Sequence, residues 1–302
     1  MEIRKLDQMF EVLATRPKKR MVAAWAIDAH TICAVGEAVQ KGIVEGILVG
    51  DRQIIAKVAA ENNLDPAIFQ IVHAESDLSA ATLAVDLINQ GKGDFLMKGL
   101  LSTDRYMRAI LNKERGLMDP GAILTHITVA EPANYHKLLT FGDVAIIPQP
   151  DLNQKIVITN YLIKTAHFLG IETPKVGLLS ASEQTLPKLS SSYDAALIAK
   201  MAERGQIKGA IVDGPLALDL ILDKESAEIK GMADNPVCGD ADCILFPNIE
   251  SGNTFYKTVV KLLKSELCAV VSGARVPCVL TSRGDSERSK LYSIALAALQ
   301  AK

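Results

Sequence analysis

Short apolar, β-branched runs alternate with segments of helical period along almost the whole chain, and that alternation narrows the fold more than any other feature. Strand-like runs stand at Met21 to Ile27, Glu45 to Gly50, Phe69 to His73 and Asp94 to Lys98. They recur at Lys175 to Ser180, Gly209 to Asp213, Asp242 to Pro247, Leu267 to Val271 and Cys278 to Leu280. Two longer runs, Ala122 to Ala130 and Lys137 to Ile147, lie between the two sets. Most of these runs are apolar at every position rather than at alternate ones, as in strands covered on both faces. Helical period follows most of them, so the spacing predicts an α/β protein built on a largely parallel sheet.

Such a sheet puts its chemistry in the crevice at the carboxyl ends of the strands, where the next helix presents free N–H groups. Four strand-end loops carry suitable side chains. Lys98-Gly99 runs into Ser102, Thr103 and Asp104, with Arg105 and Arg108 one turn further on. Asp213-Gly214 reads as an acid where a strand ends in a turn, and Gly252-Asn253 opens a helix that carries Lys257. Thr281, Ser282, Arg283, Gly284 and Asp285 separate the last strand from the final helix. A hydroxyl, a guanidinium and a carboxylate within four residues suit an anionic substrate with a reacting carbonyl. Helix capping and solvated arginines account for the same residues equally well.

Composition removes several function classes. At 302 residues the chain has room for two domains. A net charge of −2 provides no basic field for nucleic acid or an acidic membrane surface. The charged amino terminus lacks a signal-peptide core and no apolar run is long enough for a membrane span, so a cytoplasmic location is expected. Five scattered cysteines and five single histidines show no metal-ligand spacing. Neither a G-x-G-x-x-G turn nor a P-loop is present, which argues against nicotinamide and nucleotide chemistry.

Five segments, taken in order, resemble the phosphate acetyl/butyryltransferase family. They are Lys98 to Thr103 (KGLLST), Asp213 to Asp219 (DGPLALD), Gly239 to Pro247, Glu250 to Asn253 with Tyr256-Lys257, and Thr281 to Ser286 (TSRGDS). The match is closest to the butyryltransferase branch. The resemblance implies two α/β/α domains of isocitrate/isopropylmalate dehydrogenase type with an active-site cleft between them. One domain would hold residues 1–118 and 272–302, the other residues 119–271.

The implied reaction moves a short acyl group, butyryl by branch, between CoA and inorganic phosphate, giving acyl phosphate, with no metal or cofactor. Phosphate acetyltransferase, an acyl-carrier-protein phosphate acyltransferase and a non-catalytic CoA or acyl phosphate-binding protein are the alternatives. By resemblance Ser282 stabilises the transition state, Arg283 follows it against phosphate or CoA, and Arg108 binds phosphate with Lys98, Ser102 and Thr103. Asp213, Gly214, Gly252, Asn253 and Lys257 would face CoA or the acyl group. Ser289 stands where the acetyl branch has an acid, which leaves Asp285 and Glu287 as candidate bases. The family also suggests a homodimer or a larger homo-oligomer.

Overall fold

The computed structural model describes residues 1–281 and 286–302. In chain order the elements begin with α1 (Gln8–Ala14), β1 (Lys19–Ala24), α2 (Ala29–Gln40), β2 (Val44–Gly50), α3 (Arg52–Glu61), β3 (Phe69–His73), α4 (Asp77–Asn89), β4 (Phe95–Lys98) and α5 (Thr103–Leu111). Next come β5 (Thr125–Glu131), β6 (Leu139–Gly142), α6 (Leu152–Phe168), β7 (Lys175–Leu179), α7 (Ser190–Glu203), β8 (Ile211–Leu216), α8 (Leu218–Leu222), α9 (Lys224–Ile229), β9 (Cys243–Leu245) and α10 (Ile249–Lys257). The chain closes with β10 (Glu266–Ser272), β11 (Cys278–Val279) and α11 (Glu287–Gln300). It divides into two compact units, a terminal one of residues 7–124 and 268–302 and a middle one of residues 1–6 and 125–267.

In the terminal unit the strand order is β3-β2-β1-β4-β11-β10, with all but β10 parallel. From β1 the chain moves outward to β2 and β3, then returns to lay β4 on the other side of β1. Right-handed crossovers in opposite directions put α2 and α4 on opposite faces of the sheet. Met21 to Ala24 and Phe95 to Lys98 are accordingly buried at every position. Short-range chemistry starts the helices: Asp28 caps α2, Asp51 caps α3, and Ser76 and Ser79 form a reciprocal box on α4.

Helix α11 is buried from Ser289 to Leu299, and its start is anchored twice. Arg288 and Tyr292 reach Asp7, at 3.0 and 2.6 Å. The Tyr292 hydroxyl and Arg288 hold the Asp7 carboxyl below its ordinary range. Phe10 of α1 stacks on Tyr292 at 5.6 Å.

In the middle unit the order is β5-β6-β9-β7-β8, with β5 antiparallel to β6 and the remaining neighbours parallel. Its core joins Phe141, Phe246, Leu216, Leu220, Ile221 and Val237. At the amino ends of the strands, Asp240 takes Lys175, Lys137 and His136. Burial pushes the Asp240 carboxyl up, but those three partners outweigh it and hold it well below the usual carboxylate range.

Two strand assignments need correction. The run Lys137 to Ile147 forms a strand only over Leu139–Gly142. After it the chain turns around the buried Asp143, whose carboxylate accepts the Thr125 hydroxyl at 2.8 Å and the N–H groups of Ala145 and Ile146 at 2.6 and 2.9 Å. The run from Gly209 does not stop at Asp213; β8 continues through Gly214 and Pro215 to Leu216, with a register shift against β7. Asp213 therefore lies within the strand, opposite Gly177.

Candidate functional site

The reversal of strand order between β1 and β4 is a topological switch point, the place where open parallel sheets bind ligands. Residues Ala24 and Lys98 are register partners, as are Met97 and Val279. The carboxyl ends of β1, β4 and β11 thus stand side by side in the terminal unit. Lys98 is buried there, and its ammonium donates to the carbonyls of Gly99 and Leu101 at 3.2 and 3.1 Å. It holds the turn that presents the next five residues.

Gly99 is required by close approach. A Cβ at this position would stand 2.5 Å from the Trp25 carbonyl oxygen and 2.7 Å from that of Ala24. Ser102 caps α5 by accepting the Arg105 N–H, and Thr103 is the first helical residue. The two arginines of α5, spaced to share a face, are held differently. Arg105 is ion-paired with Asp77 of α4, which keeps the Asp77 carboxyl below its ordinary range. Among the described residues Arg108 meets only Asp104, at 2.9 Å, and its side chain is 79% exposed. Such a surface pair is worth little, so Arg108 is free to move toward an anion.

Ser282, Arg283 and Asp285 lie outside the described residues. Their flanks are described. Thr281 is buried at the end of β11, and the Ser286 hydroxyl accepts the Ser289 N–H at 3.0 Å to cap α11. Ser289 is buried and takes the Ser286 hydroxyl on its own oxygen at 3.1 Å, so the residue where an acid was sought completes a helix start. Glu287, the other base candidate, lies 2.9 Å from His30 Nδ1. Cys33 follows one turn after His30, and burial, then Glu287 and Asp28, push its thiol up.

In the middle unit the carboxyl ends of β6 and β9 are neighbours, with Gly142 opposite Leu245. Asn248 caps α10, and Gly252 packs so tightly that a Cβ would come 2.2 Å from the Asp143 carbonyl oxygen. Asn253 donates to the Val144 carbonyl at 3.0 Å. Lys257 is exposed and its ammonium lies 5.1 Å from the Tyr256 ring. Asp213 accepts from the Asn235 amide, and Gly214 has no room for a Cβ beside Leu178. Asp213 and Gly214 line a groove of about 540 Å³ between α7 and β8, with Ala196, Ala199 and Pro236. Asp143 was not read from the sequence, although Gly142-Asp143 inside an apolar run is a turn signal.

This fold, two α/β units built on largely parallel strands, is that of phosphotransacylases. The branched-chain phosphotransacylase of Enterococcus faecalis superimposes with a TM-score of 0.81 at 29% identity, covering 93% of this chain and 98% of that one. The phosphate butyryltransferase of Clostridium acetobutylicum is 42% identical over 99% of both chains. The phosphate acetyltransferase of Thermotoga maritima is 38% identical over 97% of this chain and 99% of its own. The model of the phosphate acetyl/butaryl transferase family matches residues 77–298. The chain belongs to that family of acyltransferases, as its motifs led us to expect.

Proposed function

We propose that the protein transfers a short acyl group, butyryl for preference, between CoA and inorganic phosphate. The observation that carries this reading is the 42% identity, over 99% of both chains, to a phosphate butyryltransferase. The switch-point crevice supports it, because the Lys98 to Thr103 turn stands beside the strand that leads into Ser282 and Arg283.

A phosphate oxygen attacks the thioester carbonyl carbon, the carbonyl oxygen takes up negative charge, and the C–S bond then breaks to release CoA thiolate. Ser282 donates a hydrogen bond to that developing oxyanion, where preplaced donors act most strongly. Arg283 and Arg108 hold phosphate, with Lys98, Ser102 and Thr103 shaping the turn beneath it. Asp213, Gly214, Gly252, Asn253 and Lys257 serve CoA and the acyl group. The thiol, with an ordinary pKa near 8.5, needs only modest help to lose or regain its proton, and Asp285 is assigned that step. The reaction uses no metal or cofactor, and the enzyme is placed in the cytoplasm as a homodimer or larger homo-oligomer.

The test is CoA release, followed with a thiol reagent, from acetyl-, butyryl-, isobutyryl- and octanoyl-CoA with and without phosphate. Release that depends on phosphate, fastest with butyryl-CoA, is the expected result. Absence of release with every donor removes the reading. Within the same assay Arg108→Ala raises the KM for phosphate about tenfold or more, as loss of a charge-assisted hold does, and leaves the KM for butyryl-CoA within about twofold. A change confined to butyryl-CoA would assign Arg108 to the other ligand.

A further inference from the structure

Trp25 is the only tryptophan of the chain, and it follows β1 directly with φ at 55°. Left-handed backbone is rare for a bulky residue, and such strain persists where the surroundings over-determine it, often at ligand-facing turns. The surroundings here are explicit. Leu100 donates its N–H to the Trp25 carbonyl and Gly99 to that of Ala24, both at 2.9 Å. With no space for a Cβ on Gly99, the turns after β1 and β4 are locked back to back.

That locked unit leaves two large apolar side chains partly accessible. Leu100 is 48% exposed, and Trp25, flanked by the fully buried Ala24 and Ala26, stays partly exposed. Both stand at the switch point, on the turns that adjoin Lys98, Ser102 and Thr103. Part of the Trp25 ring and the methyls of Leu100 are therefore accessible together at the carboxyl ends of β1 and β4.

We infer that Trp25 and Leu100 form the apolar wall against which the acyl chain of the thioester lies, and that the bulk of Trp25 limits its length. The inference rests on the phosphotransacylase reading and adds the residues that choose the acyl group. A short alkyl chain on a rigid aromatic face gains burial for each methylene until the wall ends, and a longer chain meets the ring.

Two measurements on the full chain test it. Trp25→Ala raises the ratio of kcat/KM for octanoyl-CoA over butyryl-CoA by about tenfold, the scale on which one or two methylenes discriminate. Trp25→Phe shifts the ratio in the same direction by less, and serves if the alanine variant fails to fold. An unchanged ratio overturns the inference. Because Trp25 is the sole indole, its emission reports directly on binding in the unmodified protein. Butyryl-CoA produces a saturable change and free CoA a much smaller one. An equal response to both places the nucleotide or pantetheine arm, not the acyl chain, against the ring and overturns the assignment, as does no response to butyryl-CoA. Failure of the parent reading looks different: no phosphate-dependent CoA release from any donor, with the emission titration still deciding whether an acyl chain meets Trp25.

Discussion

Replacing Ser282 with alanine lowers kcat for phosphate-dependent CoA release from butyryl-CoA by on the order of 10²–10³-fold, the loss expected when one oxyanion donor is removed. On the proposed mechanism the hydroxyl acts as the carbonyl oxygen acquires charge and contributes little to the ground-state thioester, so KM for butyryl-CoA stays within about threefold. Ser286→Ala is the informative neighbour. That hydroxyl accepts the Ser289 N–H and starts α11, so its loss costs about 1 kcal/mol of stability with much less effect on kcat. Steady-state kinetics and thermal melts of the two variants separate a chemical role from a structural one. Equal losses of kcat in both would reduce Ser282 to a residue that shapes the loop. A wild-type kcat in Ser282→Ala would take it out of the mechanism.

Asp194→Ala destabilises the protein by about 3–5 kcal/mol, the range for leaving one charge of a buried pair without its partner. Asp194 of α7 accepts from the Lys155 ammonium of α6 at 2.6 Å, with side-chain exposures of 9% and 4%. Around them stand Leu178, Leu245, Pro247 and Ile198, lining a cavity of only about 10 Å³, at the lower limit for a single water. Without the carboxylate the ammonium is left among apolar side chains, which is costly for an unpaired charge. The double variant Lys155→Met, Asp194→Leu removes both charges and keeps side chains of similar length and branching, and it recovers most of the lost stability. Chemical denaturation of the three proteins checks this. If the double variant is as unstable as the single one, packing geometry rather than the orphaned charge sets the cost.

How far the sequence carried depended on how local the determining interactions were. Phe69–His73 is a strand at the bounds read from its apolar run, and α4 starts at Asp77 because the Ser76–Ser79 box is complete within four residues. Capping, period and β-branching act over one or two turns, and such signals survive without knowledge of the fold. The strand read from Lys137 to Ile147 failed for the opposite reason. Val144 to Ile147 look like strand, but Asp143 accepts the N–H groups of Ala145, Ile146 and Ile147 together with the hydroxyl of Thr125, eighteen residues back. A buried carboxylate that satisfies a whole turn outweighs the propensity of four apolar residues. Asp213 likewise looked like the end of a strand because Gly214-Pro215 is an ordinary turn signal, yet pairing with β7 carries β8 through it.

The order of motifs along the chain was enough to determine the α/β class and the family, because each motif couples a strand end to a helix start. Tertiary structure decided which strand ends meet. Placing β4 and β11 on the far side of β1 brings Trp25, Lys98 and Thr281 to the carboxyl ends of neighbouring strands although they are up to about 250 residues apart in sequence. Tertiary structure also decided which of the two α5 arginines is tied to another element: Asp77 of α4 claims Arg105, while Arg108 meets Asp104 at the surface. Neither outcome is encoded by spacing, since strand order and long-range ion pairs are settled by packing across the sheet rather than by the residues next in line.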